Sequence, residues 1–206
     1  MRIIDLTHTI TPETPVYPGD RPLRLFQERF LHADGFNAFR LETNMHAGTH
    51  IDCPPHMTPS RAMACELPLE KFCGEGRLID ARGKTAVTAG DVGGISVNAG
   101  DVVLVLTGFD VFYGQSRYYA EHPVIDESLA ALLIERKVGM LGVDCPSPDV
   151  SPYPVHKLLL SNGIPIIENL TNLSALLGVK RFTLLGFPLK LEAEASLARV
   201  AALVDE

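Results

Sequence analysis

Asn44-Met45-His46-Ala47-Gly48-Thr49-His50-Ile51-Asp52-Cys53-Pro54-Pro55-His56 holds three of the chain's seven histidines and one carboxylate. Nitrogen and carboxylate-oxygen ligands in that mixture suit a divalent cation such as Zn²⁺ or Mn²⁺, and a histidine just beyond the ligands can move protons. His46 and His50 lie four apart, a helical spacing, but Gly48, the β-branched Thr49 and Ile51, and Pro54-Pro55 oppose a helix. An extended strand is predicted instead. Asn44, His46, Gly48, His50 and Asp52 then share a coordinating face, and Met45, Ala47, Thr49, Ile51 and Cys53 a packing face. On this reading Gly48 leaves the volume between the two imidazoles to the ion. Pro54-Pro55 ends the strand and sets His56 at the rim of the site.

A catalytic ion usually draws further ligands from distant sequence, and two residues qualify. His156 opens the helix-like run Val155–Leu160, with Pro154 suited to the first helical position. Glu168 ends the short apolar strand that begins at Ile164, the place where α/β folds carry working groups. A purely structural ion is disfavoured, because structural zinc is normally closed by four Cys or His ligands and the thiols here are scattered. Asp144, also at a strand end, reads as a cap or a supporting acceptor. His8, His32 and His122 read as satisfied polar residues, with His8 a candidate for outer support of the site.

The segment His46–His56 resembles the His-x-Gly-Thr-His-x-Asp-x-Pro-x-His signature of the cyclase family of metal-dependent hydrolases, which includes bacterial kynurenine formamidases and isatin hydrolases. The resemblance extends through Ile4-Asp5-Leu6-Thr7-His8, Pro15-Val16-Tyr17-Pro18-Gly19-Asp20, Leu106–Asp110, Gly142–Asp149, and His156 with Glu168 twelve residues on. It implies that His46, His50 and Asp52 bind one ion, that Asp52 with His156 and Glu168 bind a second, and that His56 donates and accepts the proton. It also implies an α/β architecture of the swivelling β/β/α type with a barrel-like mixed sheet, and a homo-oligomer, dimer or tetramer. Tyr17 stands where the family's kynurenine formamidases carry a substrate-facing tryptophan; this chain has none. The expected reaction is metal-dependent hydrolysis of a small-molecule amide. An N-formyl aryl amine such as N-formylkynurenine is the first substrate and a cyclic amide like isatin the second, and a binding protein without turnover is a third reading.

Other chemistries fail on inspection. Gly83-Lys84-Thr85 lacks the glycine that a phosphate loop needs five positions earlier, and no Gly-x-Ser-x-Gly elbow exists. The chain of 206 residues is 46% hydrophobic with no low-complexity linker, so one domain over 1–206 is expected. A formal charge of -7 without a basic run argues against nucleic acid and anionic membrane as partners. Val102–Leu106 is too short to cross a bilayer and Met1–Asp5 lacks a signal-peptide core, which predicts a cytoplasmic protein. Cys53, Cys65, Cys73 and Cys145 show no metal or redox spacing and are expected as free thiols, Cys53 in the core.

Strands are predicted over Arg2–Leu6, Ala38–Thr43, Arg77–Ala81, Val102–Leu106, Val138–Val143, Pro165–Glu168, Phe182–Phe187 and Leu197–Val204, the last also compatible with helix. The clearest helix starts at the capping residue Asp126 and is expected to stop at Gly139; shorter ones are expected over Glu66–Phe72, Val155–Leu160 and Leu173–Leu177.

Overall fold

The computed structural model describes residues 1–204. In chain order the strands are β1 (Arg2–Asp5), β2 (Arg24–Arg29), β3 (Ala38–Glu42), β4 (His50–Asp52), β5 (Cys73–Asp80), β6 (Ala86–Val87), β7 (Val102–Leu106), β8 (Val124–Ile125), β9 (Met140–Val143), β10 (Ile166–Glu168), β11 (Phe182–Pro188) and β12 (Ala195–Val204). The α-helices are α1 (Leu31–Asp34), α2 (Ser116–Ala120), α3 (Glu127–Glu135) and α4 (Pro154–Ser161). The main sheet runs β1-β12-β11-β5-β7-β9-β10-β4, and a further pairing of β12 with β4 closes it into a barrel. β5, β7, β9 and β10 are mutually parallel, and the remaining neighbours are antiparallel. The architecture is the mixed, barrel-like α/β sheet expected from the sequence.

Strand β7 shows how the barrel is covered on both faces. All five of its residues are buried, but they divide by parity between two apolar clusters. Val102, Leu104 and Leu106 join Ile51, Ile167, Phe182, Leu184 and Val200 in one cluster. Val103 and Val105 join Leu129 and Leu133 of α3 and Val155, Leu159 and Leu160 of α4 in the other. The helices therefore cover one face, and the opposite face lines the barrel. Close packing also fixes Gly76 on β5, where a Cβ would fall 1.8 Å from the Phe182 ring.

Several local expectations change. Leu197–Val204 resolves to strand and extends back to Ala195, because its alternating burial serves two partners on one edge, β1 and β4. The Asp126 carboxylate caps α3 by accepting the Ser128 N–H (2.8 Å), but the helix ends at Glu135 and the left-handed residue is Lys137, not Gly139. Gly139 instead passes close to backbone, where a Cβ would meet the Gly100 carbonyl at 2.9 Å. The expected helices over Glu66–Phe72 and Leu173–Leu177 are short 3₁₀ turns at Ala64–Glu66, Leu69–Phe72 and Leu173–Leu176. β2 has no counterpart in the sequence reading; it pairs only with β3. No helix among the described residues is long and apolar enough to cross a membrane.

Candidate metal centre

The largest correction concerns the motif itself. Only His50–Asp52 is strand, and residues 45–49 form a turn in which Gly48 takes φ +64. Alternation thus holds for His50, Ile51 and Asp52, with Ile51 in the apolar cluster and its neighbours on the other face, but it does not carry His46 or Asn44. Gly48 owes its identity to that positive φ and to Ile10, whose Cδ1 would lie 2.6 Å from a Cβ, rather than to volume kept for an ion.

Five elements then converge. On β10, Glu168 lies directly opposite His50 of β4, so strand register makes them a cross-strand pair, with His50 Nε2 3.3 Å from Glu168 Oε2. Pro154 opens α4 at its first turn, and His156 two residues later points its Nε2 to Glu168 Oε1 (3.1 Å) and Asp52 Oδ2 (3.6 Å). The turn before β4 brings His46 Nδ1 to 2.9 Å from Asp52 Oδ1. After β4, Pro54-Pro55 starts a 3₁₀ turn that ends at His56, whose ring centroid lies 4.3 Å from that of His46 and 6.0 Å from that of His156. All six residues singled out in the sequence as ligands or acid/base therefore meet. Potential ligand atoms of His46, Asp52 and His56 lie within 4.8 Å of one another, as do those of His50, Asp52 and Glu168, with Asp52 common to both groups.

The donor set fits a cation. Asp52 is fully buried, yet both its carboxylate oxygens and the buried His50 Nε2 lack a hydrogen-bond partner: the contacts are close but misaligned. Leaving such atoms unpaired costs free energy that a cation among them would recover. Each imidazole also has an oxygen behind it. His50 Nδ1 faces the Gly48 carbonyl (2.9 Å), which can only accept, so Nδ1 carries a proton and Nε2 would present its lone pair to a cation at the centre. His156 Nδ1 faces the Asp149 carboxylate, and His46 Nε2 faces Glu194 (3.3 Å). Carbonyl or carboxylate behind imidazole is the arrangement that orients ligating histidines. Without a cation the same carboxylates hold the imidazoles protonated. Burial would depress His50, but Asp52 and Glu168 lift it to about 10; burial would depress His156, but Asp149, Asp52 and Glu168 push it to about 12. His56 behaves in the opposite way, because burial outweighs the attraction of Asp52 and keeps its pKa below the ordinary value.

The centre forms the floor of a cleft of ≈ 730 Å³ lined by Tyr17, Asp20, Met57, Tyr119, Tyr153 and Asn169 among others. Tyr17 lies on its wall, edge-on to Tyr119 with centroids 5.7 Å apart. Burial, then the neighbouring Tyr153 hydroxyl, raises its phenol to about 12.

The Cyclase family model matches residues 4–150. The chain belongs to the cyclase family. It is 33% identical to an uncharacterised protein of Methanocaldococcus jannaschii over 209 residues, 99% of this chain and 100% of that protein. A kynurenine formamidase of Salinibacter ruber is 28% identical over 197 residues, 93% of this chain and 92% of that enzyme. Isatin hydrolase A from Labrenzia aggregata, solved with benzyl benzoate bound, has a TM-score of 0.88 at 25% identity, covering 100% of this chain and 94% of that one.

Three contributors in this cyclase-family chain are absent from the sequence analysis: Glu194 behind His46, Asp149 and Asn169. Asp149 accepts the Val155 N–H (2.6 Å) as well as facing His156, so one carboxylate starts α4 and orients its histidine. An acidic residue seven positions before a histidine carries no periodic signal. Asn169, in the left-handed region at φ 54, accepts from the Tyr118 hydroxyl (2.9 Å) and donates to the Gly48 carbonyl (3.1 Å), tying the turn of the motif to β10. Asp144 is a loop cap, accepting the Thr107 and Gly108 N–H groups (2.8 Å each). The His8 ring stacks on Tyr113 at 3.8 Å, and its backbone N–H donates to Thr49 Oγ1 (3.0 Å). All four cysteines are free, and burial, then Asp52 and Glu194, raises the Cys53 thiol to about 12, which leaves it no role as a nucleophile.

Proposed function

We propose that the chain is a metal-dependent amide hydrolase whose first substrate class is an N-formyl aryl amine such as N-formylkynurenine, yielding formate and the free amine. The observation that carries this reading is the convergence of three imidazoles and two carboxylates, with unpartnered buried oxygens, under a neutral histidine at the floor of an aromatic-walled cleft. His46, His50, Asp52, His156 and Glu168 would hold one or two divalent cations, Zn²⁺ first and Mn²⁺ second, and Asp52 would be shared. A bound cation supplies Lewis acidity to the scissile carbonyl and lowers the pKa of water at the centre from about 15.7 towards about 7.

The protein's own groups carry the rest. His56 forms no hydrogen bond with any other described side chain and is held neutral by burial, so it can take a proton from the attacking water and return it to the leaving nitrogen. Asp149 and the Gly48 carbonyl keep His156 and His50 turned towards the centre throughout. Tyr17, Tyr119 and Tyr153 offer flat apolar walls to an aryl group and exclude water around it. The kinship with a kynurenine formamidase over most of both chains supports the formamide substrate. The likeness to isatin hydrolase A supports the second reading, a cyclic amide opened by the same attack.

Hydrolysis of N-formylkynurenine and of isatin, measured side by side after loading with zinc or manganese, tests the proposal. Faster turnover of the formamide is expected. Faster ring opening of isatin would install the second reading, and loaded protein inert towards both would sink the substrate assignment. Tyr17→Trp is expected to lower KM for N-formylkynurenine, and Tyr17→Ala to raise it. A KM indifferent to both changes removes Tyr17 from the substrate wall.

A further inference from the structure

We infer that Glu194 is a positioning residue for His46 and so sets how tightly the outer side of the centre holds its cation; this rests on the metal-binding reading of the same site. Of the three histidines proposed as ligands, His46 is the one supplied by a turn rather than by a strand or α-helix, and its ring is partly open, with the side chain 22% exposed against 1% for His50 and 2% for His156. It therefore has the least packing to fix its orientation. Its two ring nitrogens lie between two carboxylates, Nδ1 2.9 Å from Asp52 Oδ1 and Nε2 3.3 Å from Glu194 Oε1. The inner carboxylate belongs to the buried centre. The outer one stands to His46 as Asp149 stands to His156, behind the ring, accepting the proton of the nitrogen that faces away.

The Glu194 side chain is 42% exposed, but the backbone that carries it is fixed beside the motif. β12 runs past the end of β11 and continues along β4, with Ala195 opposite Asp52, so the residue before Ala195 is delivered beside the motif by strand register. The segment leading into β12 is pinned at three points: Cys53 N–H to the Glu194 carbonyl (2.9 Å), Ala64 N–H to that of Ala193 (2.9 Å) and Cys65 N–H to that of Leu191 (3.0 Å). The backbone of Glu194 is thus held to the residue after Asp52, which keeps its carboxylate within reach of His46.

The test uses the whole chain, zinc, and Glu194→Ala and Glu194→Gln. Competition against a chromophoric chelator is expected to show zinc bound about 10–100-fold more weakly by Glu194→Ala. Glu194→Gln should lose less, because its amide oxygen still accepts from the imidazole. The melting temperature of the metal-free protein should be the same in all three forms. Long-range proton–nitrogen spectra of the zinc-loaded wild type should place the His46 proton on Nε2. Undiminished zinc affinity in Glu194→Ala overturns the inference, as does a parallel fall in metal-free stability, which would make the residue structural. A bare Nε2 overturns it as well, because that nitrogen would then be the ligating one. Wild-type protein that takes up no zinc would bring down the metal-site reading itself, a result distinct from a variant that binds as well as wild type.

Discussion

At the scale of single residues the centre separates groups that hold charge from groups that move it. Asp52 accepts the attention of three imidazoles, so Asp52→Asn should abolish both metal retention and turnover, since a neutral amide compensates no cation. Elemental analysis of the purified variant checks this, and full occupancy with normal activity would exclude Asp52 as a ligand. His56 should behave differently. With the ring neutral and free of protein hydrogen bonds, His56→Ala is expected to keep its metal while kcat falls by roughly 10²–10⁴, the usual contribution of a positioned acid/base. Metal content and kcat measured on the same preparation decide the matter, and loss of metal would make His56 a ligand, as its closeness to His46 and Asp52 allows.

At the scale of elements, the turn before β4 is the vulnerable part. Gly48→Ala must place a side chain at φ +64 against Ile10, and the left-handed conformation alone costs about 1–2 kcal/mol. Since the Gly48 carbonyl is the acceptor behind His50, the strain should also disturb the ion site. A fall in denaturant midpoint together with weaker zinc binding is expected. Wild-type values for both would show that the turn relaxes without consequence. By contrast Ile51, between His50 and Asp52 but fully buried in the barrel, belongs to the core: Ile51→Val should cost about 0.5–1.5 kcal/mol and leave zinc affinity unchanged.

For the whole molecule, pH enters through histidines away from the centre as well as through those within it. His8 and His122 are both held below their ordinary 6.5 by burial, with Asp110 opposing it at His8 and the Pro123 carbonyl at His122. A base depressed in the fold contributes stability that is present above its unfolded pKa and lost as pH falls through the folded one. The raised His50 and His156 work in the opposite sense in the metal-free protein, so the His122 contribution is read as a difference: the stability of His122→Gln relative to wild type should rise as pH drops below about 6.5. Thermal melts between about pH 7.5 and 5.5 read it out; a variant as pH-sensitive as wild type would rule His122 out as a contributor. The β2–β3 ribbon bears on assembly. It pairs with nothing else and leaves Phe36, Phe39 and Leu41 at 55%, 65% and 45% exposure, and two-stranded ribbons are marginal in water on their own. A homo-oligomer covering this ribbon is the proposal, with sedimentation expected to give more than one chain mass and Phe39→Asp with Leu41→Lys to reduce it. A wild-type monomer would end that proposal.

By itself the sequence marked His46, His50, Asp52, His156 and Glu168 as candidate ligands, the thiols as free and the class as α/β; the barrel-like sheet came only with the resemblance to the cyclase family. Apart from that resemblance, these readings rest on residue chemistry and short-range alternation, both of which are local. Tertiary structure alone decided the rest. The expected long strand is a turn over 45–49 with Gly48 in the left-handed region, where a side chain would meet Ile10, 38 residues away in sequence, and no periodicity announces it. The ambiguity of Leu197–Val204 was settled by partners on both edges, since apolar alternation there gains its meaning from β1, β4 and β11. Asp149, Asn169 and Glu194 are the polar residues that aim the site, and they act through hydrogen bonds and close contacts made possible by register or by a helix start. Ligands declare themselves by what they are, whereas the groups that orient them are known only by where the fold puts them.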